Sequence, residues 1–397
     1  MDLVSVSGLG KAGLPLVAVI AEAGIPVIGI DVNEKVVEQV NKGIPPFVGE
    51  PGLKELLTKH KGKNIIATTD VKKAINDTNA HIVIVPLFID DDKQCDFSIL
   101  DLAFTSIGQN LKKEDIVVLE TTVPPKTTET RIKEILEKNS KMIAGKDFYL
   151  AYSPERIMTG YSISRFSEFP KVIGGINEIS TKKAFELYSK FGNMKKVKDA
   201  RTAELVKVSE GLYRDVNIAL ANEILKVCDN YEVNFWEMRE AASHQFCNIH
   251  EPGSVGGHCI PVYPWFIIND MDVPLIKKAR LLNDEMINYY ADKVDKMTDG
   301  KGNVCVIGIT YREGVKELAY TRSIPFIKEL KNRDYNVFAY DPLMDKNEIE
   351  ELDVKYLDLK NLNEMDSIVL LNKEKSLLEE LKPYKDKILD IKNMFDS

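Results

Sequence analysis

The stretch SGLGKAGLP, Ser7 to Pro15, constrains the fold of this chain more than any other part of it. Gly8, Gly10 and Gly13 spell G-x-G-x-x-G directly after the β-rich run LVSVSG and at the mouth of LPLVAVIAEAG, whose apolar residues recur at helical spacing up to a terminal glycine. IPVIGID follows as a second strand. Strand, glycine turn, helix and strand in close succession predict a βαβ unit, and such units assemble into parallel sheets covered by helices. The glycines have separate duties. The first makes a tight turn, the second lets backbone amides approach a pyrophosphate at the helix N-terminus, and the third packs helix on strand. Lys11 and Ala12 complete the expected cofactor loop, with a solvated lysine as the alternative for Lys11. Asp31 closes the second strand, where a carboxylate accepts both ribose hydroxyls and repels a 2′-phosphate, so the pattern favours NAD over NADP.

The same grammar continues. HIVIVP, DIVVLETT, FYLAYSPER and KVIGG read as strands of one block ending near Gly175. From Asp199 to Tyr231 the spacing of Leu205, Val208, Leu212, Val216, Ala219 and Leu220 predicts one long helix. A glycine-rich loop at 252–261 precedes a further helix at 272–298, and DGKGN marks a turn. A second α/β block then follows, with strands VCVIGI, NVFAYD, SIVLLN and KILDI and a helix at 323–333. A chain of 397 residues exceeds the ~250–300 residues one core organises. The expected architecture is therefore α/β, with two Rossmann-like doubly wound parallel-sheet domains, 1–195 and 299–397, joined by a central helical domain, 196–298. The two terminal blocks are candidates for paralogous halves.

Charge and cysteine usage exclude several functions. A net charge of −8 and no basic stripe interleaved with aromatics argue against a nucleic-acid partner. The cysteines, Cys95, Cys228, Cys247, Cys259 and Cys305, are odd in number and lack CxxC spacing, which argues against a disulfide framework or a metal site and for a reducing cytoplasmic compartment. No run approaches ~18 apolar residues and the N-terminus lacks a basic, then apolar, leader, so no membrane attachment or targeting is expected.

GLGKAGLPL, ETTVPPKTTE, AYSPERIMTG, VIGG, YRDVNIALANE, PGSVGGHCIPV and YDP occur in an order that resembles the UDP-glucose/GDP-mannose dehydrogenase family, most of all its UDP-N-acetylmannosamine dehydrogenase branch. The resemblance implies an N-terminal NAD domain, a helical middle that forms a homodimer, and a C-terminal domain for the nucleotide of a sugar. It implies a four-electron oxidation of the C6 alcohol of a UDP-N-acetylhexosamine to a uronate, feeding polysaccharide synthesis. Cys259 is then the nucleophile that traps the aldehyde. Lys207 stabilises charge on the C6 oxygen, Glu155 serves thioester hydrolysis and Thr122 orients water. Pro86 and Thr122 join the cofactor contacts, and Glu155, Arg156, Lys207, Arg214, Asn217, Gly256, Gly257 and Arg312 the substrate contacts. No metal is implied. Cys228 and Cys305 suit structural roles, as does His258. The alternatives are UDP-glucose or UDP-N-acetylglucosamine as substrate, release of the aldehyde, or a nucleotide-binding protein with altered catalysis.

The chain departs from the pattern that this resemblance implies. Tyr263 stands where an aspartate is expected four residues after the cysteine, and a phenol of ordinary pKa near 10 is no anionic base at neutral pH. Gly211 replaces an asparagine four residues after Lys207; glycine inside a helix is costly relative to alanine and should be there for space. Phe246 and Ala319 occupy positions expected to hold arginines for the pyrophosphate, with Arg322, Lys316 and Arg312 as possible substitutes. Lys126 replaces a glycine, and Leu87 with Phe88 replaces Thr-Pro.

Overall fold

The computed structural model describes residues 3–156, 160–164, 166, 168–311 and 313–395. These fall into two compact units, Met1–Glu210 and Gly211–Ser397.

In the first unit the strands are β1 (Val4–Ser7), β2 (Val27–Ile30), β3 (Ile65–Thr68), β4 (Ala80–Val83), a short hairpin of β5 (Phe88–Ile89) and β6 (Cys95–Asp96), then β7 (Ile116–Leu119), β8 (Tyr149–Tyr152), β9 (Lys171–Gly175) and β10 (Met194–Lys196). All but the hairpin form an eight-stranded sheet in the order β10-β9-β8-β7-β4-β1-β2-β3. Both faces are covered, and the alternation along β7 shows it: Val118 joins the core with Val6 and Ile20, while Val117 and Leu119 join Phe104 and Leu136 on the other side. The expected all-parallel sheet needs one correction, because β8 and β9 pair antiparallel. No described helix separates them, and a parallel return requires a crossover of a dozen or more residues, usually helical.

The second unit carries β11 (Asn303–Ile307), β12 (Asn336–Tyr340), β13 (Lys355–Tyr356), β14 (Ser367–Leu370) and β15 (Ile388–Asp390), a parallel sheet in the order β13-β12-β11-β14-β15. Val304 and Val306 face one core, Cys305 and Ile307 the other. The predicted helices appear at Ala200–Asn230, Pro274–Thr298 and Ser323–Asn332. The first of these passes through the boundary between the units, giving its residues up to Glu210 to one and those from Gly211 to the other. Among the described residues no helix is long and apolar enough to cross a membrane, and no group of His, Cys, Asp or Glu is arranged to hold a metal.

Candidate active site

In each sheet the strand order reverses at the first strand, with β2 on one side of β1 and β4 on the other, β12 on one side of β11 and β14 on the other. A crevice opens outside the carboxyl ends of the strands at such a point, where ligands of open α/β sheets bind.

At the first crevice the three glycines differ in the room around them. Gly8 has φ +101°, donates its N–H to Ile30 O at 2.8 Å, and leaves no room for a Cβ, which would lie 2.8 Å from Ile84 O. A Cβ at Gly13 would fall 1.9 Å from Gly8 O, whereas one at Gly10 would meet nothing within 4 Å. The open side of the turn is therefore at Gly10. The Gly13–Glu22 helix begins there with Ala12 as its cap, no side-chain oxygen on its first amides and no acid in its first turn. A diphosphate fits this terminus. Asp31 is fixed to the same turn, its Oδ2 accepting from Leu9 N and its Oδ1 from Asn33 N, both at 2.9 Å. Lys11 is half-buried and Pro86, just beyond β4, is exposed. Gly10→Ala is expected to leave the melting temperature unchanged while raising the NAD requirement at least about tenfold. Gly13→Ala overpacks the turn by about 1–3 kcal/mol or more. Thermal melts paired with NAD titrations check both.

A buried charge cluster lies in the same unit beyond β7 and β8. Glu120, fully buried, accepts from Lys171 Nζ at 2.8 Å and from Tyr188 OH at 2.6 Å. Glu155 follows β8, its N–H reaching Glu120 O at 3.3 Å; its Oε1 is closed off from solvent without a hydrogen-bond partner. Burial pushes the Glu155 carboxyl up to about 7 against the pull of Lys207 and Lys171, with Glu120 adding to the rise. Arg156 is held by Glu210 at 2.5 Å and Pro170 O at 2.7 Å. Thr122 and Lys207 are half-buried. One helical turn before Lys207, the buried Glu204 accepts Lys126 N at 2.6 Å and Thr128 N at 2.8 Å. Burial lifts its carboxyl to about 7 despite these two donors. Lys126, which stands in place of an expected glycine, adopts φ +78°, the left-handed region that glycine enters without strain.

In the second unit Cys259 is exposed, whereas Cys228 and Cys305 are buried. Its carbonyl accepts Val262 N at 3.1 Å and Tyr263 N at 3.0 Å, so Tyr263 is one turn further along the chain. The Tyr263 ring is buried and packs against Gly211: a Cβ there would lie 2.7 Å from Tyr263 Cδ2 and 3.2 Å from its Cβ. The expectation that Gly211 makes space is met, and the ring fills that space. Gly256 and Gly257 press on neighbouring chain, a Cβ meeting Tyr320 O at 2.9 Å and the Tyr311 ring at 3.2 Å, respectively. His258 is exposed beside the Tyr320 ring and 4.0 Å from Glu317 Oε1. Arg214 is exposed; Asn217 bonds back to Tyr213 O at 2.6 Å.

The crevice of the second sheet repeats the construction of the first. Gly308 donates to Tyr340 O as Gly8 does to Ile30 O, and Asp341 Oδ2 accepts Thr310 N as Asp31 accepts Leu9 N. A cavity there is lined by Ser254, Gly256, Thr310, Thr321, Arg322 and Asn372, among others. Arg322 is braced by Asp284 at 3.3 Å and keeps a buried Nε without a partner. Lys316 pairs with Glu348 at 2.5 Å, Phe246 is 86% exposed and so is no part of a core, and Arg312 lies outside the described residues.

Three consecutive family models match the chain. They are described as the UDP-glucose/GDP-mannose dehydrogenase family's NAD binding domain over residues 2–192, its central domain over 201–285 and its UDP binding domain over 305–397. The chain belongs to this family. It is an NAD-dependent nucleotide-sugar dehydrogenase, the Gly8–Gly13 crevice lying in the NAD domain and the Thr310–Asn372 crevice in the UDP domain. A UDP-N-acetyl-D-mannosamine dehydrogenase of Methanococcus aeolicus is 38% identical over 86% of this chain and 78% of its own length. The UDP-D-ManNAc dehydrogenase structure from Pyrococcus horikoshii superposes with a TM-score of 0.87 at 28% identity, covering 98% of this chain and 93% of that one. The UDP-N-acetyl-mannosamine dehydrogenase of S. aureus gives 0.86 at 30% identity, with 100% and 96% covered.

Sequence reasoning missed Glu120, Lys171, Glu204, Asp215 and Asn222 in this dehydrogenase. Asp215 and Asn222 sit inside YRDVNIALANE, the most specific motif of the chain, yet the residues singled out there were Arg214 and Asn217. A signal was present: Asp215 and Asn222 are seven residues apart and so share one helix face.

Proposed function

We propose that the chain oxidises the C6 alcohol of UDP-N-acetylmannosamine to the uronate, with Cys259 as nucleophile. The observation that carries this reading is that Cys259 is the exposed residue of the five cysteines, at the end of a glycine loop that lines the UDP-domain cavity. Relatives named for this substrate at 28–38% identity support it.

Two NAD molecules, each held in its turn by the Gly8–Gly13 turn and Asp31, would supply the hydride acceptor, one for each oxidation. Lys207 meets the negative charge that grows on the C6 oxygen as the alcohol becomes an aldehyde. The Cys259 sulfur adds to the aldehyde carbon and the former carbonyl oxygen takes a proton, giving a thiohemiacetal that still carries a hydride. Its oxidation leaves a thioester on Cys259. Water positioned by Thr122 attacks the thioester carbon, Glu155 takes the proton, and Cys259 departs as the thiolate. Arg322 braces the pyrophosphate in the UDP domain.

Glu155 sets a pH dependence for the hydrolytic step. A base must be ionised, and this carboxyl has been raised to about 7, so the step slows about tenfold per pH unit below 7 and levels off above it. Glu155→Gln is expected to erase that limb and lower hydrolysis by roughly 10²–10⁴-fold, read by acid quench of single turnovers across pH 5–9.

Tyr213, Leu220 and Val227 recur at seven-residue steps on the long helix and are 63%, 53% and 53% exposed, an apolar stripe that we assign to pairing with a second copy of this chain. Sedimentation of Leu220→Glu checks that assignment. The buried Tyr263 ring favours a second reading, release of the aldehyde after one oxidation. Offering a panel of UDP- and GDP-sugars with NAD and counting NADH per sugar separates the two: two supports uronate formation, one supports release, and no turnover overturns both.

A further inference from the structure

We propose that Asn222 is a positioning residue for the Cys259 nucleophile. The inference rests on the proposed role of Cys259 and concerns how a thiol on an irregular loop is kept in one place. Reaction at a carbon requires reacting atoms ~3–3.5 Å apart, and a loop gains that accuracy only from supports outside itself.

Asn222 lies fully buried on the long helix. Its Oδ1 accepts Gly253 N at 2.7 Å and its Nδ2 donates to Gly253 O at 3.1 Å, so one side-chain amide reads both backbone groups of one loop residue. The second Nδ2 hydrogen goes to Asn283 Oδ1 at 2.8 Å, and Asn283 Nδ2 in turn reaches Asp215 O and Oδ1, both at 2.9 Å. Arg280, also fully buried, closes the chain on Asp215. The bonds leave the orientation of the Asn222 amide no freedom, since donor and acceptor must each face their partner. Gly253 is at φ +144°, and Pro252 O beside it is tied to Lys392 Nζ at 2.9 Å.

Five residues, 254–258, separate this clamp from Cys259. Within them Gly257 N is held by Tyr320 O at 3.1 Å, and beyond them Cys259 O is held by the amides of Val262 and Tyr263. The span is thus fixed at entry, middle and exit, and the entry is the point where the fixing group is a side chain and open to substitution. Freeing it lets the sulfur wander from the aldehyde without touching the groups that remove the first hydride.

The test uses the full chain with NAD and UDP-N-acetylmannosamine. Asn222→Ala is expected to change the first hydride transfer less than about threefold while NADH per sugar falls from two towards one, as aldehyde escapes before sulfur traps it. Cys228 and Cys305 should stay closed to iodoacetamide, which shows the fold intact. Both oxidations falling together, or neither changing, overturns the inference. If Asn222→Ala fails to fold, Asn222→Asp, which keeps the acceptor and removes the donor, is read in the same way. Hydrogen exchange in the unaltered chain is a further arm: the Gly253 amide should exchange slowly, and exchange at the rate of an open loop overturns the assignment. If Cys259→Ser still forms uronate, or the unaltered chain yields one NADH per sugar, the proposed function fails instead, and exchange at Gly253 then decides the clamp alone.

Discussion

Cys259→Ser is expected to lower uronate formation by at least about a thousandfold while the first hydride transfer survives, so that one NADH appears per sugar and aldehyde accumulates. Removing a catalytic nucleophile reaches such magnitudes because the remaining groups act as a unit with it. The exchange of sulfur for oxygen is nearly isosteric and falls on an exposed side chain, so no packing change confuses the result. A serine hydroxyl is a far weaker nucleophile than a cysteine sulfur unless a base activates it. Cys95→Ser and Cys247→Ser serve as controls and should leave both steps intact. Uronate formation at the unaltered rate by Cys259→Ser would remove the sulfur from the mechanism.

Lys171→Met has the largest expected effect on stability. Lys171 and Glu120 are 3% and 0% exposed, so neither charge is relieved by solvent when its partner goes. Stranding one member of a buried pair destabilises by about 3–5 kcal/mol, roughly 6–20 °C in melting temperature for a unit of this size. Lys171 Nζ also lies 5.8 Å from the Phe166 ring centroid and 5.7 Å from that of Tyr188, contacts that methionine only partly replaces. Lys171→Met/Glu120→Leu/Tyr188→Phe, which removes the charges and the hydroxyl together, should recover most of the loss, because apolar groups of similar volume leave no polar atom unpaired. A melt of Lys171→Met within 2 °C of the unaltered chain would show that solvent reaches Glu120.

The fold was legible where a pattern is local. The long apolar strands and the Ala200–Asn230 helix announce themselves by period, and the glycine turn by its place between strand and helix. β10, Met194–Lys196, offers two lysines and no alternation, because it lies at the edge of the sheet where one side needs no partner. The antiparallel turn of β9 was in principle readable: from Ser153 to Pro170 the chain carries serines, Gly160 and prolines at either end without helical period, a poor pattern for a crossover helix. The site divides in the same way. Gly8, Gly10, Gly13 and Asp31 act through backbone geometry that their own spacing encodes. Glu120 and Lys171 are 51 residues apart, and Asn222 meets Gly253 across 31. Neither residue of such a pair carries a mark of its partner, and only the folded chain shows that a buried charge or amide is answered.

The interlocking of Gly211 and Tyr263 bears on how such an enzyme changes over generations. A side chain introduced first at 211 meets the edge of the aromatic ring, its Cβ 2.7 Å from Tyr263 Cδ2, so the ring must shift to admit it. A small acid introduced first at 263 leaves an unfilled hole beneath the helix. Each single step is penalised while the pair together is not, so the two positions are inherited as one character, and descendants exchange both or keep both.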